Sequence, residues 1–145
     1  MWRLVTKILA NHGQPLLKYD ECPQYLKSNP YIRTGYRSGQ TWTQCLRSVV
    51  SLHNETLNIW THLLGFIFFL TILLWDFISP PVPSRVTWQD FSVILIIIGC
   101  YQICMIMSTV FHTFSSHSQD AHEFCLMMDL VGIGASVTAS FLCGE

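Results

Sequence analysis

Three long apolar segments dominate the second half of the chain. Residues 57–75 contain no charged side chain over 19 positions. As a helix rising about 1.5 Å per residue they would measure about 28 Å, close to the hydrocarbon core of a bilayer. Residues 91–111 contain no charge over 21 positions, and residues 124–143 contain one acidic residue, Asp129. The pattern predicts an all-α membrane protein with three transmembrane helices.

A shorter amphipathic pattern precedes the first apolar segment. Apolar residues at positions 42, 45, 46, 49 and 50 have the spacing of one helix face, and Gln44 and Arg47 lie on the other side. This pattern predicts a helix over residues 41–53 that lies along the membrane surface and leads into the first span. Residues 1–40 contain many prolines and glycines. They are predicted to be an N-terminal tail in which residues 28–37 form an ordered turn region.

Composition and charge support a membrane protein and indicate its orientation. Half of the residues are hydrophobic and 12% are charged, whereas a typical soluble domain has roughly 25% charged residues. Seven of the eight Lys and Arg residues lie within the first 47 positions, so the positive-inside rule predicts a cytoplasmic N-terminus. The net charge of −1 argues against nucleic-acid binding. The expected surroundings are therefore a lipid bilayer.

Polar side chains inside or beside the apolar segments are the candidate functional residues, because such groups are costly in lipid. Glu55, Asn58 and His62 are spaced by three and four residues, which places them on one face of a helix. Ser108 and His112 are one helical turn apart near the end of the second span.

The up-down-up order of three spans predicts where these groups meet. The starts of the first and third spans and the end of the second lie on one side of the membrane, and Asp129 lies in the first turns of the third span. We therefore expect one polar layer there, which would either cross-link the helices or bind a metal. In the second case His112 would be a ligand and Asp129 would hold a metal-bound water. His117 and His122 are expected to be solvated residues of the connecting loop.

Several sequence elements resemble signatures of the progestin and adipoQ receptors, which are related to the haemolysin III proteins. Residues 55–65 match the family's E-x2-N-x3-H element, and residues 108–112 match its S-x3-H element. Residues 129–133 match its D-[YL]-x-G-I element, and the upstream residues 29–37 also fit. In this order the elements are specific to the family, although each alone is weak.

The resemblance implies the first part of a seven-helix bundle with a zinc ion (Zn2+) near the cytoplasmic face. The resemblance makes His112 a zinc ligand. The two further ligands of the family come from an H-x3-H in the last helix of the seven-helix bundle. Ser108 and Asp129 lie around the zinc, where they are candidate catalytic residues of a ceramidase-like lipid amidase. Glu55, Asn58 and His62 form the first-span signature.

The resemblance also implies partners and a location. Residues 19–37 and 90–107 look most similar to a Golgi-resident member that tethers Raf kinase. This implies a receptor-like scaffold whose tail binds a cytosolic kinase and modulates MAPK signalling at the Golgi membrane, with the plasma membrane as the alternative. A lipid or steroid-like ligand is also implied. Since the sequence stops at Glu145, after the third span, the expectation is a truncated form with an incomplete zinc site. A truncated isoform without a function of its own is a further alternative.

Overall fold

The computed structural model describes residues 15–79 and 87–142. Within them, three helices are long and apolar enough to cross a membrane, which confirms the predicted fold class. All three begin before the predicted apolar segments, because polar residues form their first turns. Thr87 and Asp90, for example, make a reciprocal capping box at the start of the second helix. The helices are α2 (Thr56–Ile78), α3 (Trp88–Phe114) and α4 (Gln119–Leu142).

Helix α3 lies between the other two and packs against both. The face of α4 that packs on α3 is made of small or short residues, which allow two helix backbones to approach closely. The two backbones approach closely at Gly132, where an added Cβ would lie 2.9 Å from the Cα of Cys104. The buried residues of α4 are Ala121, Cys125, Asp129, Gly132, Ser136 and Ala139.

Residues 15–55 fold into a compact unit over the end of the bundle, which we call the cap. Strand β1 (Leu17–Lys18) pairs antiparallel with β2 (Thr34–Tyr36), and a 3-10 turn at Gln24–Leu26 lies between them. Cys22, Leu26 and Tyr36 form the buried core of this unit. Much of the predicted tail is therefore folded, and residues 1–14 lie outside the described residues.

The helix predicted over residues 41–53 is shorter in the structure, where α1 covers Trp42–Ser48. A capping box between Thr41 and Gln44 starts it, and the N–H of Ser51 bonds to the carbonyl oxygen of Ser48 (2.8 Å), which turns the chain towards α2. Cys45 and Ser48 are buried against the bundle, whereas large apolar residues of α1, Trp42 and Leu46 among them, are exposed.

Candidate functional site

A hydrogen-bonded pair joins the start of α2 to the end of α3. His112 Nδ1 donates to Glu55 Oε2 over 2.8 Å. The same oxygen accepts from Asn58 Nδ2 at 2.8 Å, and Glu55 Oε1 accepts from Asn54 Nδ2 at 2.6 Å. Burial raises the pKa of Glu55, but the bonds from His112 and Asn58 outweigh it and the net pKa is lowered. Because an ionised carboxylate can only accept, the proton of a neutral His112 ring resides on Nδ1.

His62 completes the cluster on the membrane side. Its ring centroid lies 5.6 Å from that of His112, and its Nδ1 bonds to the carbonyl oxygen of Asn58 at 2.7 Å. The structure therefore brings together the three residues of the first-span signature and the histidine of the second span. We call Glu55, Asn58, His62 and His112 the polar cluster.

Asp129 and Ser108 lie buried in the α3–α4 part of the bundle. They are 6% and 4% exposed, respectively. No hydrogen bond among the described residues joins Asp129 to Glu55 or His112, and Asp129 Oδ1 has no partner within that part of the chain. A buried carboxylate oxygen without a partner is costly, and more so in lipid. The polar layer expected from the sequence thus consists of the polar cluster and a separate buried carboxylate.

The described residues fit a zinc ion only in part. With Nδ1 bonded to Glu55, the Nε2 atom of His112 is the nitrogen left for a metal, and a carboxylate behind a ligating histidine is a common arrangement. However, zinc needs three or four ligands. Within residues 15–79 and 87–142, no group of three His, Cys, Asp or Glu side chains is placed to hold a metal. Zinc binding would therefore need ligands from outside these residues.

Arg37 is a central residue that no sequence pattern indicated as functional. It is 2% exposed, and it donates to Ser48 Oγ in α1 and to backbone carbonyl oxygens at the end of α3. Burial lowers the pKa of Arg37 to about 10, so the side chain remains charged at neutral pH. The one sequence feature that could have indicated its burial is its position in Gly35-Tyr36-Arg37, directly after an aromatic residue of the cap core.

His53 was also missed, and it fixes the turn that presents Glu55. Its Nδ1 accepts from the backbone N–H of Glu55 (3.1 Å), and its Nε2 donates to the carbonyl oxygen of Ser48 (3.0 Å). Burial, with help from the nearby charge of Arg37, lowers the pKa of His53 to about 4. The ring is therefore neutral at pH 7 and holds one tautomer.

His117 and His122 are not the solvated loop residues expected from the sequence. The His117 ring stacks on Trp42 with centroids 3.9 Å apart, and its Nδ1 donates to the carbonyl oxygen of Gln40 at 2.6 Å. His122 lies within α4, and its ring packs edge-on against Tyr25 at 5.3 Å. The reason is that the cap packs over the α3–α4 connection and leaves both residues only partly exposed.

Comparison with known proteins identifies the family. Residues 50–144 match the family model of haemolysin-III-related proteins. The chain belongs to this family. The matched haemolysin-III-related region begins before Glu55 and extends beyond Asp129, so it includes all three signatures recognised in the spans.

Named relatives extend this result to the progestin and adipoQ receptors. The chain is 36% identical over 138 residues to mouse "Progestin and adipoQ receptor family member 3". The aligned region covers 94% of this chain and 44% of that protein. It is 39% identical over 134 residues to "Heptahelical transmembrane protein 1" of Arabidopsis thaliana, covering 87% and 40%. It is 34% identical over 125 residues to the "Adiponectin receptor protein" of Drosophila melanogaster, covering 86% and 28%. The chain thus spans less than half the length of these relatives, and it is a multi-pass membrane protein of their haemolysin-III-related family.

Proposed function

We propose that the chain acts as a receptor-like membrane scaffold in which the cap binds a cytosolic protein kinase of the Raf class. The helices would hold the complex at the Golgi membrane and so modulate MAPK signalling. The supporting observation is that the cap is folded onto the end of the bundle that holds the polar cluster. Its outer surface presents charged and aromatic side chains, namely Lys18, Tyr31, Arg33 and Arg47. Tyr31, 88% exposed, is the leading candidate contact.

The whole chain is needed to test this proposal. The cap depends on the end of α3, since Arg37 bonds to its carbonyls and the N–H of Gln40 bonds to Ser116. Residues 1–47 moved to an unrelated membrane anchor would lose these contacts. A negative result with that fusion would therefore not separate a lost binding surface from an unfolded cap.

The experiment is co-localisation of a tagged kinase with the chain in cells. The double variant Tyr31→Ala, Arg33→Glu should lower the recruited fraction several-fold, because both side chains are exposed and their loss leaves the cap core intact. Trp88→Ala is the control, since Trp88 is equally exposed (86%) at the opposite end of the bundle. An unchanged kinase distribution in cells with and without the chain would refute the proposal.

The proposal requires a cytoplasmic cap, which the excess of Lys and Arg within residues 1–47 favours. An epitope at the N-terminus should be stained when the plasma membrane alone is permeabilised. Staining that requires permeabilisation of the internal membranes would place the cap in the lumen and exclude contact with a cytosolic kinase.

A second candidate function is hydrolysis of the amide bond of a ceramide-like lipid by a zinc-dependent site. It is favoured by Asp129, whose buried Oδ1 lacks a partner among the described residues, and by His112, whose Nδ1 is held by Glu55. Zinc would supply activation of a water molecule, and His112 would offer one ligand. A lipid or steroid-like molecule would then be the substrate or ligand class.

With the remaining zinc ligands supplied from outside the described residues, this alternative predicts bound zinc and a ceramide hydrolysis that Asp129→Asn abolishes. His112→Ala should lower both the zinc content and the hydrolysis. Asp120→Asn, an exposed acid at the start of α4, is the control and should leave both unchanged. Hydrolysis retained by Asp129→Asn would contradict the proposed role of that carboxylate.

A further inference from the structure

Arg37 links the cap to the last turn of α3, the turn that presents His112. Its Nη2 donates to the carbonyl oxygen of His112 over 2.7 Å, and its Nη1 donates to that of Thr113 over 3.2 Å. The same Nη1 also donates to Ser48 Oγ. One rigid guanidinium therefore connects α1 with the backbone of two successive residues of α3.

These bonds satisfy groups that a helix end leaves open. The last four carbonyls of a helix lack intrahelical partners, and they form the negative end of its dipole. In α3, backbone N–H groups from the following turn reach the first and the fourth of these carbonyls. Arg37 reaches the second and the third, those of His112 and Thr113. A buried positive charge is well placed at this position.

The segment that contains Arg37 also contacts the turn that presents Glu55, the hydrogen-bond partner of His112. The carbonyl oxygen of Gly35 accepts from the backbone N–H of Asn54 at 2.9 Å. Gly35 has φ +93°, and a Cβ added there would lie 3.3 Å from the Asn54 nitrogen. Residues 35–37 therefore contact both the turn that presents Glu55 and the turn that presents His112.

We propose that Arg37 is a positioning residue that keeps His112 Nδ1 on the Glu55 carboxylate. By holding the His112 and Thr113 carbonyls against the cap, Arg37 fixes the rotation of the last turn of α3. This fixes the direction from which the imidazole meets Glu55 and hence which ring nitrogen is protonated. The proposal concerns the same cluster as the proposed function, but it holds for any partner or ligand, and its test reads His112 directly.

The experiment records 15N spectra of histidine-labelled chain in lipid nanodiscs, in chelator-treated buffer, over a pH series that extends to alkaline pH so that the tautomers are read from neutral rings. Individual histidines are assigned by substitution. Native His112 should show a single Nδ1–H tautomer. In Arg37→Gln the His112 signals should move towards a mixture of both tautomers, by more than the line width. The signals of His62 and His122 should move far less.

Two further variants separate positioning from general stability. Arg33→Gln removes an exposed arginine from the same cap and should leave His112 unchanged. Arg37→Lys keeps the charge but cannot span both carbonyls from one plane, so it should shift His112 by an intermediate amount. If Arg37→Gln fails to fold, Arg37→Lys decides the question.

Two outcomes would overturn the proposal. One is a folded Arg37 variant whose His112 signals equal those of the native chain. The other is a displacement of His62 and His122 as large as that of His112, which would show that Arg37 merely fastens the cap. His53 is left out of this comparison because it senses the charge of Arg37 directly. A displacement of His112 well beyond that of His62 and His122, partly restored by lysine, supports the positioning role.

Discussion

The close backbone contact at Gly132 predicts that Gly132→Ala separates α3 from α4. An added Cβ would lie 2.9 Å from the Cα of Cys104, at least 0.5 Å short of ordinary van der Waals contact. Because the obstructing atom is backbone, no side-chain rotation relieves it, and the helices must move apart. Forcing one extra methyl group into a packed site costs about 1–3 kcal/mol.

Gly134→Ala is a matched control for this substitution. Gly134 lies two residues further along α4, and an added Cβ there meets nothing within 4 Å. Both changes gain the same helix propensity, about 1 kcal/mol for glycine to alanine. The difference between the two variants therefore isolates the steric cost. We expect Gly132→Ala to be about 1–3 kcal/mol less stable than Gly134→Ala.

The assay is reversible unfolding of the chain in mixed micelles by a denaturing detergent, followed by helix content and tryptophan fluorescence. The free energy of unfolding of each variant is compared with that of the native chain. Equal stabilities of the two alanine variants, or a Gly132→Ala protein more stable than Gly134→Ala, would refute the inferred contact between α3 and α4.

Three further predictions concern the cap and the spans. His53 has a pKa of about 4 in the folded chain and an ordinary value near 6.5, so the unfolded chain binds the proton first. The free energy of unfolding should thus fall by about 1–2 kcal/mol between pH 6.5 and pH 4 after allowance for solvent screening. His53→Gln should lose this part of the acid sensitivity in pH-dependent melts. Thr41→Ala removes the capping box of α1 and should cost about 1 kcal/mol in thermal unfolding of the cap. Thr41→Ser keeps a capping hydroxyl and should cost little. An equal loss of stability in both variants would exclude capping as the cause. Tyr101→Phe removes the 3.2 Å hydrogen bond to Ser140 between α3 and α4 and should cost about 0.6 kcal/mol in the micelle assay, an effect that should vanish in a Ser140→Ala background.

The sequence alone determined the parts of this protein that depend on local pattern. The length and apolarity of residues 57–75, 91–111 and 124–143 required three spanning helices, because lipid admits no unpaired backbone over that thickness. Helical spacing placed Glu55, Asn58 and His62 on one face. The up-down-up order then brought His112 to Glu55, and the structure has this contact at 2.8 Å.

Only the tertiary structure decided how the cap meets the bundle. The bonds from Arg37 to the end of α3 cross 75 and 76 positions of the chain, and the stacking of Trp42 on His117 likewise joins distant segments. No local periodicity encodes such contacts, because they depend on which face of the cap docks and on which carbonyls the end of α3 leaves open. For the same reason α1 buries its small residues and exposes its large ones, an orientation that its amphipathic pattern could not supply.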